Sequence, residues 1–231
     1  EAGLFIDIPP ALTIPTITIT DVECFGDATG SIEITAAGGT PNAIPPDYNY
    51  LWTGAGISSF TLEDQVNLIK GNDYEVTVTD GNGCQTSSGL LTVDEAAEII
   101  MTVSSSDDVT CNGGSDGKVN ISLTGGVNPV DFVWTGNSTS HLSIKRNPDD
   151  LIADEYKVLI TDKDGCSRTY DPVAVISEPD PISAVLDSAI DVTCFSDTDG
   201  KGYVTVNGGT GPYSYSWDDP ASSILEDPIN L

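Results

Sequence analysis

Basic residues are scarce in this chain. Eight lysines and arginines stand against 36 aspartates and glutamates in 231 residues, for a formal net charge of −28. Such a field repels phosphate, which excludes nucleic acid and anionic membrane surfaces as partners. No run of 18 apolar residues occurs, so no helix of this chain is predicted to span a membrane. Histidine occurs once, as His141 in a polar loop, and no nucleophile motif, phosphate loop or zinc spacing is found. The chain therefore reads as non-enzymatic. Glu1 is not preceded by an initiator Met or a signal-peptide pattern, so the sequence reads as a processed or excised piece. These shortages do not amount to disorder. Hydrophobic residues make up 39% of the chain, and its aromatics are spread along its whole length.

What the chain has is repetition. Trp52, Trp134 and Trp217 recur at nearly equal spacing, as do Cys24, Cys111 and Cys194, and Cys84 recurs as Cys166. Asp21-Val22-Glu23-Cys24 returns as Asp108-Val109-Thr110-Cys111 and Asp191-Val192-Thr193-Cys194. Each copy continues into an alternating segment that ends in a glycine pair: Gly38-Gly39, Gly125-Gly126 and Gly208-Gly209. An aromatic run ending in Trp follows each pair. A later segment, Tyr74 to Cys84, returns as Tyr156 to Cys166. The units fall at about 11–97, 98–180 and 181–231, the third holding only the first part of the pattern. Residues 1–10, with Leu4-Phe5-Ile6-Asp7-Ile8, read as the last strand of a preceding unit.

Alternation of period two pervades each unit, as in Val119/Ile121/Leu123 and Tyr156/Val158/Ile160, and places one set of side chains inward on half-buried strands. Val, Ile, Thr and Tyr fill these runs, while Gly, Asn, Asp and Pro mark the breaks. Asp80-Gly81-Asn82-Gly83 and Asp162-Lys163-Asp164-Gly165 are predicted hairpin turns. The one helix-like stretch, Leu62 to Lys70, is short, and its copy carries Pro148. About seven short strands per unit predict an all-β chain of tandem immunoglobulin-like sandwiches arranged as a rod. Trp52, Trp134 and Trp217 share a strand face with their neighbouring aromatics. They are predicted core plugs rather than sugar-stacking platforms.

Three features together resemble the SprB repeat. They are Cys-x-Gly-x-x-x-Gly, the run Gly208-Gly209-Thr210-Gly211-Pro212-Tyr213-Ser214-Tyr215-Ser216-Trp217, and Tyr-x-Val-x-Val-x-Asp-x-x-Gly-Cys. The first unit departs by the insertion Pro41 to Asp47, the second by Val130 and Phe132 in place of tyrosines, and the third by Ser196 in place of glycine. The resemblance implies a cell-surface adhesin of gliding Bacteroidetes, exported by the type IX system and located at the outer surface. The implied function is that of a structural stalk in surface attachment and gliding motility. Its implied partners are neighbouring repeats, surface polysaccharide and the gliding machinery. Two other readings stand beside it: a polysaccharide-binding module using loops such as Pro41–Pro46, and accessory repeats of a large secreted enzyme.

In an exported protein the five cysteines point to disulfides. Counting suggests closure within units, Cys24–Cys84 and Cys111–Cys166, leaving Cys194 over. Topology favours Cys24–Cys166 between units. Cys24 follows the first strand and Cys84 the sixth, which puts them at opposite ends of a sandwich, on the order of 30 Å apart. The same topology gathers Asp27, Asp80, Asp116, Asp162, Asp164, Asp197 and Asp199 in end loops. Alternating carboxylates suit Ca²⁺, and Ser196 to Gly200 has part of a calcium-loop spacing. Aspartates also shape turns without any metal. No other cofactor is expected. Asp187-Ser188-Ala189 resembles the O-glycosylation site of the same bacterial group, which makes Ser188 a candidate.

Overall fold

The computed structural model describes residues 8–218, 222–229 and 231. Most of the strand expected over residues 1–10 lies outside the described residues. Contacts gather the chain into two compact units. One holds residues up to 100 with 124–130 and 162–167; the other holds 101–123, 131–161 and 168 onward.

In chain order the first seven strands are β1 (Thr13–Thr20), β2 (Gly30–Ala37), β3 (Asn49–Thr53), β4 (Gln65–Leu68), β5 (Gly71–Thr79), β6 (Gln85–Ser87) and β7 (Leu91–Val93). They form two sheets, β1-β2-β4 and β3-β5-β6, with β7 also pairing β5. Alternation sets their inward faces. Ile32 and Ile34 of β2, Tyr50 and Trp52 of β3, and Tyr74, Val76 and Val78 of β5 meet Leu68 and Val93 in one core. Trp52 stands opposite Val76, and Tyr50 opposite Val78. This is a two-layer β-sandwich.

Two expectations change here. Leu62 to Lys70 is not helical: β4 occupies its middle and pairs with β2 through Ser31↔Val66 and Ile32↔Gln65. Nine residues are too few for an independent helix in water, whereas the edge of β2 offers a ready ladder. Cys84 follows the fifth strand, not the sixth. β3 and β4 both run in the direction of β1. The connection between them returns the chain along the sandwich, with the Trp52 amide donating to the Phe60 carbonyl at 2.9 Å. This connection takes the place of the expected fourth strand.

The pattern recurs in β8 (Ile100–Asp107), β9 (Lys118–Thr124), β10 (Val130–Gly136), β11 (Leu142–Ser143), β12 (Asp154–Asp162) and β13 (Ser167–Ile176). The sheets are β8-β9 and β11-β10-β12-β13. Val119, Trp134, Leu151, Tyr156, Val158 and Ile160 are fully buried. Two last strands, β14 (Ser183–Ile190) and β15 (Lys201–Asn207), pair antiparallel. Among the described residues there is no helix, and the chain is all-β.

The glycine pairs have a strict steric cause. All six residues have φ between +62° and +81°. A Cβ on Gly125 would lie 1.8 Å from the Glu98 carbonyl oxygen, so neither backbone angle nor space admits a side chain.

Candidate functional site

The residues with the most specific chemistry are those of the cysteine-bearing loops. Each first cysteine opens a tight turn. The amides of Asp27, Gly114 and Asp197 donate to the carbonyls of Cys24, Cys111 and Cys194 at 3.1, 2.9 and 3.0 Å. Two of these loops are tied to the chain that follows the last strand of their own repeat. Asp21 accepts from the Asp94 amide at 2.9 Å, and Asp108 accepts from the Ser177 amide at 2.8 Å. Glu95 accepts from the Gly26 amide at 2.9 Å, and Glu178 accepts from the Gly113 amide at 2.6 Å. Glu178 also accepts from the Asn112 side chain at 3.1 Å. Glu95 and Glu178 escaped the sequence reading. The signal was present, since they occupy the same position in two copies, but it lay outside the cysteine and glycine anchors.

A second set of ties closes the loops internally. The Thr110 hydroxyl and amide donate to Asp116 at 2.6 and 3.0 Å, and Thr193 donates to Asp199 in the same way. The threonine hydroxyl, first, and then the amide hold both carboxyls below the usual range. In the first copy the roles are exchanged, and the Glu23 amide donates to the Thr29 hydroxyl oxygen at 2.9 Å.

The second cysteines sit on the hairpins after β5 and β12. Asp80 Oδ1 accepts from the amides of Asn82 and Cys84, and Asp162 Oδ1 from those of Asp164 and Cys166. The other oxygen of each reaches the residue after a glycine pair: Thr40 N to Asp80 at 2.8 Å and Val127 N to Asp162 at 3.0 Å. Both aspartates are buried. The Thr40 amide, with those of Cys84 and Asn82, outweighs burial and lowers the Asp80 carboxyl.

Cys24 and Cys166 form a disulfide, S–S 2.06 Å with Cα atoms 5.4 Å apart. It joins the first sequence unit to the second. Cys84, Cys111 and Cys194 are free and exposed.

The seven candidate calcium ligands do not converge. Asp80, Asp116, Asp162 and Asp199 spend their oxygens on amides and hydroxyls, while Asp27 and Asp197 contribute amides to turns. Asp164 faces Lys163 across 4.0 Å at an exposed position. Among the described residues no three His, Cys, Asp or Glu side chains gather as a metal-binding group. Ser188 is exposed on β14, beside a register shift at Asp187, whose carboxylate accepts from the Thr205 hydroxyl. The Pro41–Pro46 loop is exposed and is pinned by the Asn42 side chain donating to the Pro46 carbonyl at 2.8 Å. His141 lies edge-on to Tyr156, with ring centroids 6.2 Å apart.

Trp52 and Trp134 are fully buried, and each indole N–H donates to a backbone carbonyl, Leu62 at 2.8 Å and Lys145 at 2.9 Å. Trp217 repeats the bond, to Leu225 at 2.9 Å, but is only half-buried. β5 and β12 seal the first two; among the described residues of 181–231, the two strands present are β14 and β15.

The SprB repeat family matches residues 16–56, 103–139 and 187–222. Each matched stretch runs from before a first cysteine, through its glycine pair, to just beyond its tryptophan. Curated proteins provide no match. The family is a structural rather than a catalytic repeat, and its repeats make up segments of cell-surface proteins. With three matches placed on three equivalent loop–strand–tryptophan arrangements, the chain belongs to the SprB-repeat family.

Proposed function

We propose that these repeats form a structural stalk segment of a long cell-surface adhesin filament, exported by the type IX system, that transmits force during surface attachment and gliding. The observation that carries this reading is the Cys24–Cys166 disulfide, which spans 142 residues and lies across two consecutive sequence units. Tension on the two ends follows the shortest covalent path. That path reaches Cys24, crosses the disulfide and continues from Cys166, so everything from β2 to β12 is shielded from it. Extended chain covers at most about 3.3–3.6 Å per residue, so this loop withholds on the order of 480 Å of extension. The net charge of −28 adds self-repulsion between neighbouring stalks.

Force–extension measurement on single 231-residue chains tests the reading. The oxidised chain should unravel to a contour shorter by about 480 Å than the reduced chain. Cys24→Ser should abolish the difference. Equal contours before and after reduction would remove the basis for a force-shielding stalk.

A further inference from the structure

The Cys24–Cys166 disulfide closes a ring whose other links are hydrogen bonds. The Cys24 loop is tied to residues 94–96. The Val22 amide donates to the Asp94 carbonyl at 2.8 Å, the Ala96 amide to the Val22 carbonyl at 3.3 Å, and the Gly26 amide to Glu95 at 2.9 Å. The next residues meet the second glycine pair. There the Gly126 amide donates to the Ala97 carbonyl at 3.3 Å, and the Glu98 carbonyl fills the space a Cβ on Gly125 would need. Val127 then reaches the hairpin: its amide donates to Asp162 at 3.0 Å, and its carbonyl accepts from the Lys163 amide at 3.0 Å. Asp162 in turn accepts from the Cys166 amide at 2.9 Å. All of these residues belong to the first compact unit.

None of these links uses the S–S bond, yet together they bring both cysteines to one place. Cys166 is 7% exposed, whereas Cys84, on the equivalent hairpin, is exposed. The Cys166 sulfur lies 3.3 Å from the Glu23 carbonyl oxygen, an acceptor for the S–H that reduction would create. Cys24 is half-buried, and its carbonyl accepts from the Asp27 amide at 3.1 Å. In an unordered chain, 142 residues between two thiols would make their meeting rare. The ring removes that cost before any covalent bond forms.

We propose that this joint is a redox latch: the hydrogen-bonded ring holds Cys24 and Cys166 together in the reduced chain, so the disulfide opens and recloses without unfolding. Closed, the joint is covalent; open, it is held by hydrogen bonds alone. The reagent is a small thiol of the glutathione class. Its thiolate attacks the sulfur of Cys24, the more exposed of the two, and Cys166 leaves as a thiolate that takes a proton from solvent. A second thiolate attacks the reagent's sulfur in the mixed disulfide and frees Cys24. The protein disulfide gains two electrons and two protons, and two thiols of the reagent become one disulfide. Oxidised glutathione runs the same steps backward. The latch stands on the joint alone and would survive failure of the force-shielding reading.

Equilibration of the 231-residue chain in glutathione redox buffers, quenched by alkylation and read by peptide mapping, tests this. Cys24–Cys166 should be the disulfide recovered, with an equilibrium constant at least about a hundredfold above that of the same chain in denaturant, because the thiols are already oriented. After reduction, the amides of Gly26, Val127 and Cys166 should stay protected from hydrogen exchange. Glu95→Ala frees the Gly26 amide and should lower the constant about tenfold, while Glu95→Gln keeps an acceptor and should restore most of it. Glu178→Ala makes the same change at the Gly113 amide, away from the ring, and should leave the constant unmoved. Protection lost on reduction would overturn the proposal. So would a mixture of pairings that includes Cys84 or Cys111, or a constant unaffected by Glu95→Ala.

Discussion

The three tryptophans offer a perturbation with its own internal control. Trp134 is fully buried and donates its indole N–H to the Lys145 carbonyl at 2.9 Å. Trp134→Ala removes the largest side chain of its core and leaves that carbonyl unpaired, which should cost about 3–5 kcal/mol. For a unit of this size each kcal/mol moves the midpoint by about 4–8 °C, so its melting should fall by tens of degrees. Trp134→Phe keeps most of the apolar area and loses the hydrogen bond, costing about 1–3 kcal/mol. Trp217→Ala strikes an equivalent residue that is already half-exposed, so less than about 2 kcal/mol is at stake. Calorimetry of the oxidised chain, with a polysaccharide array read in parallel, measures both outcomes. If Trp134→Ala melted like the parent while losing sugar binding, the indole would be a ligand platform and the core assignment would be wrong.

Other expectations concern the backbone and the carboxylates. Gly125→Ala and Gly113→Ala both place a side chain at φ near +74°, but only Gly125 has a backbone oxygen in the way, at 1.8 Å. Gly113→Ala should cost about 1–2 kcal/mol and Gly125→Ala clearly more, as denaturant midpoints would show. Asp154 is raised by burial but lowered further by the Thr139 hydroxyl and amide and by the amides of Ser138 and Glu155, ending at about 2. Its folded value lies below the unfolded one of about 3.9, so its stabilisation is complete above about pH 5 and fades as pH falls toward 2. Asp154→Asn should flatten that acid limb in melts taken across the range. Because the carboxylates of Asp80, Asp116, Asp162 and Asp199 already accept from amides and hydroxyls, equilibrium dialysis against millimolar Ca²⁺ should find no uptake; saturable uptake would show that these turns rearrange around the ion. A non-reducing peptide map should recover Cys24 joined to Cys166, and recovery of Cys24 joined to Cys84 would contradict the placement of the loops.

Much of the architecture was legible because its causes are local. Period-two alternation marked β2, β5, β9 and β12. Asp-Gly-Asn-Gly and its copy marked the hairpins, where Gly83 and Gly165 adopt φ of +82° and +90°. The glycine pairs marked bends into which no Cβ fits. Repetition multiplied each weak local signal, so the units could be aligned on cysteine and tryptophan alone. The return of the chain between β3 and β4 was not legible, because the stretch between them lacks periodicity and the strand count gave no sign of it. The roles of Asp80 and Asp162 were equally hidden. A carboxylate in a turn looks the same in sequence whether it binds an ion or three amides.

Sequence alone determined that the chain is a tandem array of one β-unit, since alternation, turn chemistry and repetition are properties of short stretches and of their recurrence. Expected strand order favoured Cys24–Cys166, but only tertiary structure decided which cysteines meet. Counting allowed Cys24 to close on Cys84, and a pairing across 142 residues has no local signature. It depends on where the Asp162 hairpin and the Glu95-anchored loop come to rest, which is set by strand direction and by hydrogen bonds between segments far apart in the chain, Val127 to Asp162 and Gly26 to Glu95.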